Sequence, residues 1–340
     1  MMRKLATIRE IVEIRPIEGA DFIESARVDG WWCVVKKGEF ALKDKVIYCE
    51  VDSFLPLDER YEFLRKTSYK KMLDDEGYRL RSVRLRSQLS QGLLLPLHSF
   101  PELVNCQVGD DVTDLLKIKL YEKPIPTCLA GEAVGALPSF LIKSDQSRIQ
   151  NELKYFEMYY DEEFEETEKL DGTSTTFYYN ENRFGVCGHN WEWRDTPNNT
   201  YWAVAKKLNI EETLKSIGEN VGIQGEIIGE GIQKNLYRVK GHQFHVYDII
   251  NIAERRFMLP HERMEFMEKL WWAHNPNILH VPVINSRIKI LQKTLDEALQ
   301  YANSNSVLNS KTIREGIVLK SCVRNISFKI ISNSFLLEHE

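Results

Sequence analysis

Over residues 1 to about 100 the chain never sustains a helical period; apolar residues alternate with polar ones in short runs separated by turns. The runs KLATIREIVEIRPI, ARVDGWWCVVKKG, DKVIYCEVDSFLPL and YRLRSVRLRSQLSQGLLLPL are rich in Val, Ile, Trp and Tyr. Such side chains suit a pleated surface, and a period of two turns one face of each run inward. Short strands spaced by turns close best as a small antiparallel barrel or sandwich, with the OB-fold the natural candidate. Residues 61–73 predict a short helix inserted between strands.

The stretch YEKPIPTCLAGEAVGALPSF, residues 121–140, holds prolines and no period, and reads as a linker. The expected division is an OB-fold nucleic-acid-binding domain over 1–122, a linker over 123–140 and a second domain over 141–340. A chain of 340 residues has room for two such cores. In the second part, the strand-like runs EEFEETEKLDG, STTFYYN, RFGVCGHN, VGIQGEIIG, HQFHVYDIINI, REGIVLK and ISFKII alternate with other patterns. Helices are expected over 144–156, 200–208, 210–217, 261–272 and 288–302. Strands and helices mix without βαβ alternation, so the fold class is α+β with antiparallel sheets.

No apolar run reaches the roughly eighteen residues of a membrane span, and the start MMRKLATIREIVEI lacks a secretory core. An intracellular protein without a membrane partner is expected. The six cysteines, Cys33, Cys49, Cys106, Cys128, Cys187 and Cys322, form no CxxC pair and read as buried thiols in a reducing compartment. Net charge is −5, yet residues 60–86 hold nine Lys or Arg against four acids, while DEEFEETE (161–168) holds six acids. That asymmetry suits RNA on one face and metal on another, and equally suits ordinary solvated faces.

Lys169-Leu170-Asp171-Gly172 lies where a strand-like run ends in a turn. An extended chain puts Lys169 and Asp171 on one side, and Gly172 lets the backbone turn beside a ligand. Four residues alone match many surfaces by chance. Further acids and cations, Glu226, Asp248, Glu315, Lys320 and Lys329, sit in apolar runs where an unpaired charge would cost several kcal/mol. Asp171, Glu226 and Glu315 read as carboxylates converging on a cation. Oxygen ligands without His or Cys point to Mg²⁺ or Mn²⁺.

A lysine with a pKa near 10.4 offers about one neutral amine in a few thousand at pH 7. A nucleophile near neutrality needs that value lowered by roughly three, or about 4 kcal/mol. A carboxylate neighbour alone pushes it the wrong way. A divalent cation held by Asp171, Glu226 and Glu315 favours the neutral amine and neutralises charge developing at a phosphate.

The ordered set KLDG, QGE, FHVYD, EGIVLK and SFK resembles motifs I, III, IIIa, IV and V of the covalent nucleotidyltransferases. Together with RLRSVRLRSQLSQGLLLP and LIKSDQSRIQNE, it resembles the nick-sealing RNA ligases of the Naegleria and Deinococcus type, which carry an N-terminal OB domain. That resemblance implies an ATP-dependent RNA ligase whose 141–340 domain is the nucleotidyltransferase. Lys169 attacks the ATP α-phosphate to give lysyl-AMP, AMP passes to an RNA 5′-phosphate, and an RNA 3′-OH seals the nick. The partners implied are RNA ends, with nicked duplex expected, and the protein is expected to act as a monomer. The resemblance also implies a nucleotide site of Glu168, Leu170, Gly172, Arg148, Tyr247, Lys320 and Lys329. In it Tyr247 stacks on adenine, Arg148 grips the outer phosphates, and Lys320 and Lys329 meet phosphate oxygens. Glu168 either accepts from the adenine amine or ends an acidic strand; Arg148 is otherwise a salt-bridged surface arginine.

Two positions depart from relatives: Ser327 stands where many have a second motif V lysine, and His189 where many have arginine. Either change affects substrate grip or rate, and His189 is as readily a satisfied polar residue. Arg79, Arg81, Arg84 and Arg86 fall at strand spacing, two per face, and either contact RNA phosphates or guard an edge strand. Only eleven residues follow Lys329, so no OB module is expected after motif V, unlike DNA ligases and capping enzymes. The alternatives are a GTP-using capping guanylyltransferase and a non-catalytic RNA-binding subunit on a ligase scaffold.

Overall fold

The structure, a computed structural model, describes residues 3–72, 75–86, 88–122, 131–272 and 275–339. Cys128, residues 123–130 of the expected linker and the last residue of the helix expected over 61–73 lie outside the described residues. The chain forms two compact units, Met1–Ile125 with Leu336–Glu340, and Pro126–Phe335.

In the first unit an antiparallel sheet orders Leu93–Pro96, Lys45–Cys49, Ala6–Pro16, Ile23–Val28 and Trp31–Lys36. Ala6–Pro16 pairs with Lys45–Cys49 over Ala6 to Glu10 and with Ile23–Val28 from Ile11 onward, with a register break between Ile11 and Glu13. A bulge of this kind bends a strand, so one strand serves both halves of a curved sheet. Alternation puts Ile47 and Cys49 in a core with Ile8, Tyr78 and Phe100. Val46 and Tyr48 point the other way, to Ile11, Trp31 and Cys33. A second sheet orders Lys119–Leu120, Ser53–Pro56, Asp75–Arg79 and Tyr69–Met72. The unit is an OB-fold.

The helix expected over 61–73 is a 3-10 segment Glu59–Leu64 and one turn Arg65–Ser68; the chain then becomes the strand Tyr69–Met72. Pairing with Asp75–Arg79 overrides the local helical preference there.

The second unit holds two sheets. One orders Ala133–Ala136, Trp191–Trp193, Arg183–Cys187, Thr173–Asn180, Val221–Gly229, His242–Asn251 and Arg256–Phe257, with Ile278–His280 joining His242–Asn251 in parallel. Helices Thr200–Lys207, Ile210–Ile217 and Pro260–Trp272 bury Val204, Leu214 and Phe266 against its Phe177, Ile223 and Phe244. The other orders Ser147–Arg148, Ser327–Ile331, Gly316–Ser321, Phe164–Lys169 and Val283–Ile288. Helix Leu295–Ala302 packs Ala298 and Leu299 on its Phe164, Ile317 and Phe328.

Several expectations are corrected here. Residues 144–156 are not a helix: Ser147–Arg148 pairs in parallel with Phe328 and Lys329, leaving short turns at Ile149–Asn151 and Tyr155–Met158. Of 288–302 only Leu295–Ala302 is α-helical, because a Thr294–Glu297 capping box starts it there and Val283–Ile288 pairs as a sheet edge. Within the expected linker, Ala133–Ala136 is a strand on Trp191–Trp193. Five described cysteines are free; Cys33, Cys49 and Cys187 are buried, whereas Cys106 and Cys322 are only half-buried, short of the burial expected of them. Among the described residues no helix is long and apolar enough to cross a membrane.

Candidate active site

Lys169 ends the strand Phe164–Lys169, and after three intervening residues the chain enters Thr173–Asn180 of the other sheet. KLDG is therefore the crossing between the two sheets. Leu170 pins it, buried with Ile228, Tyr237 and Val281. Gly172 passes so close to the neighbouring strand that a Cβ would lie 2.4 Å from the Ile227 carbonyl and 2.8 Å from Glu226 Cγ. Only glycine fits. The Asp171 N–H donates to Tyr237 Oη at 2.6 Å, and Gln233 Nε2 donates to the Gly172 carbonyl at 3.0 Å.

The Lys169 amine donates to Glu315 Oε2 at 2.7 Å. Burial pulls its pKa down, but Glu315, Glu226 and Asp171 outweigh that and hold it above the ordinary lysine value. Glu226 is pushed up to about 8, by burial first and then, against the pull of Lys169, by Glu315 and Asp171. Three acids thus crowd one amine, and like charges so close call for a cation. The expected trio does come together electrostatically around Lys169. It does not form a ligand cluster in this conformation: among the described residues no three acid, His or Cys side chains could hold a metal ion. The lysine ammonium is the cation they share. The donor chemistry fits Mg²⁺ or Mn²⁺; the geometry would have to tighten on binding.

Beside Lys169 opens a cavity of about 210 Å³. Glu168, Lys169, Leu170, Glu226, Tyr247, Lys320, Lys329 and His189, all singled out in the sequence, line it. Tyr247 is aimed by a bulge: Gln224 pairs with Asp248 and Gly225 with Val246, so Tyr247 is the extra residue. Its hydroxyl meets Ser174 Oγ at 2.6 Å. Lys320 is already held by Asp248 and the Tyr247 carbonyl, so it does not wait for phosphate; burial nevertheless lowers its pKa to about 8. Lys329 lies 3.6 Å from Asp145, and burial followed by Lys169 lowers it to about 8. Arg148 is the strand partner of Lys329 and adds to that lowering. Glu168 is buried and accepts from the Val307 N–H at 2.8 Å through Oε2; its Oε1 has no hydrogen-bond partner among the described residues. Ser327 pairs across strands with Lys320.

The arginines of the 79–86 run are not gathered as two faces of one strand. Arg79 closes the strand Asp75–Arg79, bonded to Asp52 at 2.7 Å and stacked over Tyr121. Arg81 lies in an exposed connection, Arg84 in the strand Val83–Leu85, and Arg86 in a turn with φ 48°. The run breaks because Val83–Leu85 pairs antiparallel with Gln88–Ser90.

Sequence reasoning passed over Tyr237, Ser174, Asp145 and the role of Asp248. That Lys320 in EGIVLK needs a buried acid was legible; that Asp248 supplies it was not, nor that the folded loop brings Tyr237 to Asp171.

An OB-fold unit joined to a two-sheet unit, with a strand-end lysine among carboxylates at a polar cavity, defines the covalent nucleotidyltransferase class. A family model for an OB-fold domain matches residues 5–97, and the RNA ligase model matches residues 162–331. Solved structures of Naegleria gruberi RNA ligase match at 44% identity, covering 99% of this chain and 99% of that one. The form with pyrophosphate has a TM-score of 0.87, and two variants, with ATP and manganese and with AMP and manganese, have 0.88. No curated protein is a significant match. The chain belongs to the RNA ligase family.

Proposed function

We propose that this RNA ligase takes ATP with Mg²⁺ or Mn²⁺ and, acting as a monomer, seals nicks in duplex RNA through a lysyl-AMP intermediate on Lys169. The observation that carries the assignment is the Lys169 amine at the edge of the 210 Å³ cavity, with Glu315, Glu226 and Asp171 acting on it together. Relatives at 44% identity hold ATP with manganese, AMP with manganese, and pyrophosphate. These are the substrate, the transferred group and the leaving group of one reaction.

In that reaction the neutral Lys169 Nζ attacks the α-phosphorus, a phosphoramide bond forms, and pyrophosphate leaves. Tyr247 gives adenine an aromatic face, and Glu168, which lines the same cavity, offers an Oε1 acceptor unpartnered among the described residues. Lys329 and Arg148 meet the outer phosphates; Lys320, anchored by Asp248, keeps a positive charge at the cavity wall. A divalent cation bound by Asp171, Glu226 and Glu315 would supply charge neutralisation at the α-phosphate and release Lys169 from its carboxylates. AMP then passes to an RNA 5′-phosphate, and the 3′-OH of the adjoining strand displaces it. RNA is distinguished from DNA by its 2′-OH and A-form shape. Arg79, Arg81, Arg84 and Arg86 are the basic contribution of the OB unit to RNA binding.

Incubation with labelled ATP or GTP and Mn²⁺ tests the assignment. A stable adduct from ATP alone, lost in Lys169→Ala, is expected. Labelling from GTP would indicate capping chemistry, and no labelling a binding subunit.

A further inference from the structure

Between the strands Val221–Gly229 and His242–Asn251 runs the loop EGIQKNLYRVKG, residues 230–241. It carries Lys234, Arg238 and Lys240 against one acid, Glu230, in a chain of net charge −5. That acid is turned into the loop's own closure, accepting from the Gly241 N–H at 3.1 Å. Gln233, Asn235 and Arg238 have φ of 46°, 43° and 55°. Left-handed backbone at residues with a Cβ persists only where the surroundings enforce it. Here they do. Asn235 brackets Val239 with two hydrogen bonds, and Asn309 Nδ2 donates to the Leu236 carbonyl at 2.7 Å.

The held loop faces two ways. Tyr237 is buried beside Leu170, with Val239 packed on the same cluster, while Arg238 and Lys240 between and after them are exposed. Inward, Tyr237 and Gln233 grip the peptide groups of Asp171 and Gly172. Outward, Arg238 and Lys240 form no ion pair among the described residues, and neither lines the nucleotide cavity. Their charge is therefore not spent on ATP in that cavity.

We infer that loop 230–241 is a docking site for RNA phosphates beside the nucleophile. Arg238 and Lys240 contact the phosphodiester backbone. Tyr237 and Gln233 are positioning residues that tie the docked loop to Asp171 and Gly172. This rests on the RNA ligase reading above and adds where the RNA backbone is gripped.

The test separates the steps. With Arg238→Ala/Lys240→Ala, self-adenylylation from ATP without RNA should match wild type. Sealing of a pre-adenylylated nicked RNA duplex should show the RNA KM raised about ten-fold. The slope of log KM against log salt should fall by about two, one for each phosphate contact. Tyr237→Phe, which keeps the ring and removes the acceptor, should slow self-adenylylation about ten-fold at unchanged RNA KM and melting temperature. An unchanged RNA KM and salt slope in the double variant overturns the docking site, as does loss of self-adenylylation in that variant. A Tyr237→Phe enzyme with wild-type adenylylation overturns the positioning role. If wild type itself takes no label from ATP, the ligase reading fails instead.

Discussion

The Lys169 amine and the Glu315 carboxylate form an ion pair of 2.7 Å across the end of one sheet, Lys169 being the strand partner of Gly316. In this state the nucleophile is an ammonium, locked in its unreactive form by the acids that surround it. Activation therefore means separating that pair.

Self-adenylylation should accordingly depend steeply on pH and metal together. Burial lowers the Lys169 pKa, but the three acids more than reverse this. A raised value means the neutral amine grows only at higher pH, so at low Mn²⁺ the rate should climb without levelling up to about pH 9.5. Saturating Mn²⁺ should move the rise to lower pH. Coincident profiles at both metal levels would contradict the ion-pair account.

Lys329, lowered to about 8 by burial and by Lys169, should make triphosphate binding pH-dependent. The cation is present below that value and lost above it. Affinity for an α,β-methylene ATP analogue should be flat in mildly acidic solution and weaken as pH rises through 8. Lys329→Arg keeps its charge throughout, and its binding curve should be flatter over the same range; equal pH dependence would remove Lys329 from the phosphate site.

Gly172→Ala places a methyl group 2.4 Å from the Ile227 carbonyl, a backbone atom that cannot yield without moving the strand that carries Glu226. Destabilisation of about 1–3 kcal/mol is expected in urea unfolding. Adduct formation should drop about a hundred-fold, since a misplacement near 1 Å costs that much in rate. A variant with wild-type stability and labelling would show that the strand relaxes freely.

Arg263 is wholly buried on helix Pro260–Trp272 and paired with Glu165, the cross-strand neighbour of Lys320. Its Nε also donates to His280 Nε2 at 2.9 Å. Arg263→Met strands the Glu165 charge and should cost about 3–5 kcal/mol. Removing both charges, in Arg263→Met/Glu165→Leu, should recover most of that. A double variant no more stable than the single one would point to lost packing in place of lost pairing.

Much of the site was legible because charge in an apolar strand is conspicuous. Lys169, Glu226, Glu315 and Lys329 stand out against their neighbours, and the cavity gathers three of these four. The OB-type sheet was legible from strict alternation. Segments 144–156 and 288–302 misled because their apolar residues are spaced as in helices. Arg148 and Ile288 instead take their conformation from strands far away in the chain.

Alternating polarity determined the antiparallel sheets, and the order of lysine and carboxylate motifs determined which chemistry the chain carries; both are local properties of neighbouring residues. The fold alone decided that Tyr237 reaches Asp171, that Asp248 pairs with Lys320, and that the Lys169 amine rests on Glu315. Those contacts join residues 66, 72 and 146 positions apart. No local pattern encodes such a distance; the packing of two sheets sets it.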